Sequence, residues 1–453
     1  MLKNIFFVFL LFTSIINSQH AVKGKMEPIS NFKWVVLYQL KGAKQNYITN
    51  TKVTNGEFNL IIPEKSSKGI YRLLYDLENR LFVDFIYDNE NVTLTFNPNY
   101  PNRSTVFTES ENNKLFHSYL KAIALPQQKL DSLQVKYFNS TNKTEQENIV
   151  KSYYLFYAKL KTNQANFENQ SNDKLVNHFI KASARYNAAK PIKIPSDYLA
   201  SIKTHFFDNI DFNNKALLNS TFINDKINDF IFYLNTSEND KVLMRLQKEA
   251  ISKVITHLNS NKTLAKDIEE GLIYTFSQQQ NIIMVNYMLN HYLQLPKELQ
   301  DVSFINDIKG QLKTAVGMPV PNIFWTENSS QKDLYSLTDA ANYVIAFWSS
   351  TCSHCLTEMP ILYDLLKDNP QIKVVTVGLE DNTSKSSWET QIINYPNFIN
   401  IYGQNKWQNK YAREYGVNAT PSFFVLDKNK KVIAKPDDVE ELKTYFQKNI
   451  NNK

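Results

Sequence analysis

The chain has 453 residues, which at roughly 150 per domain points to about three domains and exceeds the roughly 250–300 residues at which a single core stops growing. Hydrophobic residues are 43% and charged residues 21%, which fits a globular chain and excludes a disordered one. The net charge of +7 is spread without a basic run, and none of the 10 glycines falls between Gly69 and Gly271. These features argue against a nucleic-acid partner and exclude a glycine-rich phosphate or dinucleotide loop across the middle of the chain.

Residues 1–18, MLKNIFFVFLLFTSIINS, have the layout of a secretory signal peptide: basic Lys3, an apolar run from Ile5 to Phe12, and small Ser18 before Gln19. The run is shorter than the roughly 20 residues that span a bilayer. No Cys follows it, which argues against a lipoprotein anchor. A retained membrane anchor is the rival reading. No later segment carries a transmembrane run. The mature protein is expected to be exported and periplasmic, either soluble or loosely membrane-associated.

Residues 19–105 read as short strands. Trp34–Leu40, Phe58–Ile62, Ile70–Tyr75, Phe82–Tyr87 and Val92–Phe96 are β-rich runs separated by turn signals. Asn55-Gly56 between Val53 and Phe58 predicts a tight hairpin, and Asp88–Asn91 a second turn. The expected fold is a small antiparallel β-sandwich with no catalytic cluster.

Residues 106–312 change to helical spacing, as in Leu115, Phe116, Tyr119, Leu120 and Ile123, or Leu243, Leu246, Ala250, Val254 and Leu258. Pro126, residues 190–195 and Pro296 punctuate the pattern. A central α-helical domain is expected. His117, His178, His205, His257 and His291 are scattered along it, without the i, i+4 spacing of metal ligands.

Residues 313–453 alternate strand and helix. Tyr343–Trp348 and Ile372–Val377 are buried-type strands, and Leu356, Met359, Leu362, Leu365 and Leu366 form one helical face between them. Ser422–Leu426 and Val432–Ala434 flank a hairpin-type turn, and Glu440–Ile450 closes as a helix. Strand, C-x-x-C, helix, strand, late hairpin and final helix is a thioredoxin-like α/β order.

The chain has 2 Cys, Cys352 and Cys355. A disulfide between them would close almost no loop and stabilise the fold little, so the pair reads as redox chemistry. Structural zinc needs four ligands, and covalent haem needs a His where Leu356 stands. No metal or cofactor is expected. At a helix N-terminus, unpaired backbone N–H groups favour an anion. Cys352 is therefore the expected nucleophile. Cys355, one turn on, is the expected resolving thiol. His354 between them would stabilise the Cys352 thiolate, or else stand exposed with little effect.

Three motifs in order carry a resemblance: GMPVPNIF (317–324), FWSSTCSHCLTEMPIL (347–362) and VNATPSFFVLDKNKKVI (417–433). Residues 313–453 resemble the TlpA/ResA-like branch of the thioredoxin superfamily. The N-terminal strands and helical middle resemble the modules that precede it in exported Bacteroidetes proteins. The resemblance implies that Glu358 is a buried acid tuning proton transfer at the thiols; the alternative is a surface Glu. It also implies that Pro421 is a cis-proline packed on the active disulfide, and that Thr420 pairs with substrate backbone. Trp348 lines the groove or packs the core. The family's Trp before the first Cys is Thr351 here, and its intervening pair is Ser353-His354, with His placed as in DsbA-like oxidases. Peroxiredoxin chemistry is set aside, because Ile345 and Ser349 hold the positions of its Pro and Thr.

The sequence thus reads as an exported thiol:disulfide oxidoreductase acting on exported protein thiols and disulfides. The resemblance implies that it works as a reductant, with a membrane-linked electron donor or acceptor. One alternative is a DsbA-like oxidase or isomerase. Another is a non-catalytic scaffold with a thioredoxin-like docking module, for which Thr351 is the hint. The β and helical domains are expected to select partners or orient the module, with a homodimer as one arrangement.

Overall fold

The computed structural model describes residues 20–327 and 329–450. The expected signal peptide, residues 1–18, lies outside the described residues. Among the described residues no helix is long and apolar enough to cross a membrane. The chain divides into two compact units, Met1–Ile268 and Glu269–Lys453. It carries an N-terminal region of antiparallel β-sheets, a central α-helical stretch and a C-terminal thioredoxin-like α/β domain.

The first unit opens with β1 (His20–Met26), β2 (Trp34–Lys41), β3 (Lys44–Lys52), β4 (Glu57–Ile62), β5 (Gly69–Asp76), β6 (Leu81–Tyr87), β7 (Val92–Phe96) and β8 (Val106–Phe107). They form two four-stranded sheets, ordered β4-β1-β7-β8 and β3-β2-β5-β6. All pairs are antiparallel except β1 with β7, which run parallel from Val22↔Val92 to Met26↔Phe96. Inward residues of both sheets share one core, with Leu37, Tyr71, Leu73 and Phe85 from one and Val22, Leu60, Ile62 and Leu94 from the other.

Asn55 and Gly56 both have positive φ, 52° and 77°, as a tight primed turn requires, and Thr54 and Glu57 exchange backbone hydrogen bonds of 2.9 Å across it. The expected hairpin is nevertheless a corner. β3 pairs with β2 in one sheet while β4 pairs with β1 in the other, because Phe58, Leu60 and Ile62 belong to the shared core. The edge of β6 is covered by a side chain: the Asn113 amide accepts the Ile86 N–H at 2.8 Å and donates to the Ile86 carbonyl at 2.7 Å. Covering an edge in this way blocks strand-to-strand association.

The helical stretch starts with a hairpin of two long helices, Glu111–Asn139 and Lys143–Gln170. Pro126 does not punctuate the first; it sits inside the helix. A helical proline removes the hydrogen bond to the carbonyl four residues back. Here that carbonyl, Ala122, accepts instead from the Asn163 amide at 2.8 Å. Further on, a helix over Phe222–Asn228 runs into a π-helical segment over Asp229–Tyr233.

The second unit contains the helices Ile282–Tyr292 and Val302–Lys313 and the thioredoxin-like domain. Its strands are β9 (Phe324–Glu327), β10 (Ser330–Asp333), β11 (Asn342–Trp348), β12 (Ile372–Glu380), β13 (Ile399–Gln404), β14 (Ser422–Asp427) and β15 (Val432–Ala434). The last five form a sheet ordered β13-β12-β11-β14-β15. β11, β12 and β13 are parallel, and β14 and β15 add antiparallel. Core clusters lie on both faces of this sheet. Val344, Ala346 and Trp348 point to one, and Tyr343, Ile345 and Phe347 to the other. Burial on both faces explains why β11 reads as an unbroken apolar run.

Candidate active site

β11 runs out at Trp348, and Ser349–Thr351 turn the chain into the helix Ser353–Leu366. Cys352 is the N-cap residue of that helix, with φ −95° and ψ 113°. A cap residue's side chain normally accepts one of the orphan N–H groups. Here the acceptor is sulfur: Cys352 Sγ receives the Cys355 N–H at 3.2 Å. Across the gap, the Cys352 thiol lies 3.4 Å from the Thr420 carbonyl oxygen, to which it donates. The Thr420–Pro421 peptide is cis, and Pro421 is buried while Thr420 is half-buried. Cys352 is partly exposed and Cys355 buried, and both thiols are free.

The two thiols are driven apart in acidity. Burial raises the pKa of Cys352, but the hydrogen bonds from Cys355, with help from Thr420 and the His354 backbone N–H, outweigh it, and the net shift is downward. For Cys355, burial comes first and hydrogen bonding to Cys352 second, and the pKa is pushed up to about 12. A partly exposed thiol of lowered pKa beside a buried one of raised pKa is the asymmetry that thiol exchange can use.

The remaining residues singled out from sequence fall in different places. His354 is exposed, and what it lends Cys352 is its backbone N–H. Glu358 is half-buried, and its carboxylate accepts the N–H of Val439, the first residue of the final helix Val439–Ile450, at 2.9 Å. Trp348 is fully buried in the same core cluster as Cys355 and Met359, edge-on to Tyr395 at 6.1 Å. It supports the site from beneath and lines no groove. Thr351, in the usual place of Trp, shares a 3.0 Å hydrogen bond with the Ser349 hydroxyl.

One residue of the site was missed. Glu380, the last residue of β12, is 0% exposed. Its carboxylate accepts the Ser350 N–H at 2.5 Å and the Ser349 hydroxyl at 3.3 Å. It therefore ties down the turn that presents Cys352. A lone carboxylate closing the apolar run VVTVGLE, at the carboxyl end of a parallel strand where α/β sites gather, is the signal that marks it.

The family model described as "Thioredoxin-like" matches residues 342–432. The thiol-disulfide oxidoreductase ResA of Bacillus thuringiensis (strain Al Hakam) is 28% identical over 145 residues, covering 30% of this chain and 79% of that protein. The ResA of Geobacillus thermodenitrificans (strain NG80-2) is 25% identical over 179 residues, covering 38% of this chain and 97% of that protein. Among solved structures, a domain of a possible thiol-disulfide isomerase from Cytophaga hutchinsonii is 29% identical, covers 30% of this chain and 97% of its own, and has a TM-score of 0.26. A thiol:disulfide interchange protein from Bacteroides sp. is 20% identical, with coverage of 31% and 92% and a TM-score of 0.27. The chain thus carries a C-terminal thioredoxin-like domain, similar at low identity to the ResA proteins, with a C-x-x-C pair whose spacing is consistent with thiol-disulfide chemistry.

Proposed function

We propose that the chain is an exported thiol:disulfide oxidoreductase that reduces disulfides of exported proteins through Cys352 and Cys355. The Cys352 thiolate attacks one sulfur of the substrate disulfide. A Cys352–substrate bond forms, the substrate S–S bond breaks, and the departing thiolate takes a proton from water. Cys355 then loses its proton to water and attacks the Cys352 sulfur. The Cys352–Cys355 disulfide forms and the second substrate thiolate leaves. Two electrons have passed from the protein to the substrate, and a thiol donor outside the cytoplasm must return them. The timing follows from the electrostatics. Hydrogen bonding and charge from Cys352 help hold the Cys355 proton, and both influences end once Cys352 is bound in the mixed disulfide.

The observation that carries this reading is the sulfur of Cys352 standing as helix cap, 3.2 Å from the Cys355 nitrogen and 3.4 Å from the Thr420 carbonyl oxygen. Export rests on the pattern of residues 1–18. The lowered pKa of Cys352 also favours a second reading, an oxidase or isomerase, since stabilising the reduced form makes the disulfide more oxidising. Equilibrating the mature protein in glutathione buffers and reading thiol state by mass spectrometry decides between them. A potential below about −220 mV identifies a reductant, and one near about −120 mV an oxidant. A pair that forms no reversible disulfide at any poise overturns both and leaves a docking module.

A further inference from the structure

The helix Val302–Lys313 is locked to the thioredoxin-like domain at the segment that leads into Pro421. A Cβ on Gly310 would lie 2.6 Å from the Arg413 carbonyl oxygen, and one on Gly416 would lie 2.5 Å from the Gln311 nitrogen. The backbones approach too closely for any side chain. Beside them, buried Thr314 donates its hydroxyl to the Tyr415 carbonyl at 3.0 Å. This helix is thus a fixed wall, and residues 417–421 leave directly from the contact.

Between that wall and the Pro421 loop lies a cleft of about 470 Å³, within the roughly 300–1,000 Å³ usual for ligand sites. Its lining includes Gln278, Gln280 and Gln311 from the helical side and Asn418 from the loop side, together with Pro421 and Lys435. Among the described residues the Gln278, Gln280 and Asn418 side chains make no hydrogen bond to protein, and the Gln311 oxygen accepts the Ser277 hydroxyl at 2.8 Å. Each amide offers both donors and an acceptor, which is the complement of a peptide group. The lining carries one Lys and one Asp, Lys435 and Asp437, so it has no cationic cluster for a phosphorylated ligand. Ala419 and Pro421 line the cleft, and Thr420 between them places its carbonyl 3.4 Å from Cys352 sulfur. The cleft and the thiol thus share the segment Ala419–Pro421.

We infer that this cleft is a second recognition site for the substrate protein. It holds an extended stretch of polypeptide next to the disulfide under attack and reads its backbone amides. The inference rests on the thiol–disulfide reading above and adds to it a role for the helices outside the thioredoxin-like domain.

The test uses the full mature chain, pre-reduced, and two probes: a 12-residue peptide closed by one internal disulfide, and 2-hydroxyethyl disulfide, which has no peptide group. Two variants are compared with the wild type, the double substitution Gln278→Ala with Asn418→Ala, and the cleft-filling Ala315→Trp. For the peptide, the half-saturating concentration is expected to rise about tenfold in both variants, the scale of one or two lost hydrogen bonds, while the rate with 2-hydroxyethyl disulfide stays at the wild-type value. Unchanged peptide kinetics in the double variant overturn the inference, whatever Ala315→Trp does. Equal slowing of both probes in both variants also overturns it, since that reports a disturbed Pro421 loop. A wild-type chain inert to both probes fails differently, because it removes the thiol–disulfide reading itself.

Discussion

The sandwich and the thioredoxin-like sheet are built from similar apolar strands, yet only the second leads into the C-x-x-C pair. In the sandwich each sheet has one wet face. Burial therefore alternates along β4 and β5, and polar groups close on one another. Arg72 makes two 2.8 Å bonds to the Asp84 carboxylate, and Tyr75 donates its hydroxyl to the Pro98 carbonyl at 2.7 Å. In the second unit β11 and β12 are buried on both faces, and polar groups collect where those strands end. There Glu380 holds the turn, and the Cys355 N–H in the first turn of the cysteine helix bonds a sulfur. The lesson is that parallel strands running into a helix N-terminus leave donors for function to use, whereas a self-paired sandwich consumes its own.

The sharpest way to break the comparison is to remove one side chain from each region. Cys352→Ser should lower disulfide exchange by roughly 10³-fold or more, as loss of a catalytic nucleophile does, with the urea unfolding curve little changed in mildly acidic buffer, where both the folded and the unfolded thiol are protonated. Phe85→Ala, which empties a side chain 2% exposed in the sandwich core, should do the reverse. It should cost about 3–5 kcal/mol of stability while exchange per folded molecule stays at the wild-type rate. If Phe85→Ala slowed exchange in folded protein, the separation of roles would fail.

Glu380→Ala comes next in size. It strips the acceptor from the buried Ser350 N–H, at a cost of about 1–3 kcal/mol, and loosens the turn before Cys352. Glu380→Gln keeps an acceptor oxygen and should recover most of the stability in urea titrations. Equal loss in both variants would mean that the charge, and not the hydrogen bond, is what the turn needs.

The sequence made most strands of both sheets legible, because apolar runs bounded by turn residues have few other readings. It also placed the cysteine helix, because its apolar face follows the C-x-x-C directly. β3 was not legible: KQNYITNTK is exposed or half-exposed throughout, so no alternation marks it, and it exists through pairing with β2. The same limit hid the sheet change at Asn55-Gly56, since a turn dipeptide fixes local φ values and not the partner of the strand beyond. Pro126 misled because the compensating donor, Asn163, lies on another helix. Glu380 was missed because its partners are 30 and 31 residues away in sequence, and a strand's last carboxylate looks like any strand end.

The smallest effect expected is a displaced pH profile, and it tests the asymmetry of the two thiols directly. Thiolate is the reactive form, so the rate of Cys352 alkylation by iodoacetamide should rise through its folded pKa, which lies below its ordinary value. The denatured chain should show the ordinary midpoint. Cys355, pushed up to about 12, should stay unmodified across the range in which Cys352 titrates. The signs of the linked stabilities are opposite. The contribution of Cys352, whose folded pKa is lowered, is full above the unfolded thiol's pKa and is lost as pH falls through the folded value. That of Cys355, whose folded pKa is raised, is full below the unfolded value and is lost as pH climbs toward about 12. Urea midpoints of Cys352→Ser and Cys355→Ser measured from pH 6 to 10 should therefore diverge as the pH rises. Above about pH 8.5 Cys355→Ser should gain on the wild type and Cys352→Ser should fall behind it. Parallel curves would mean that the two sulfurs share one environment, and the division into attacking and waiting thiol would go with them.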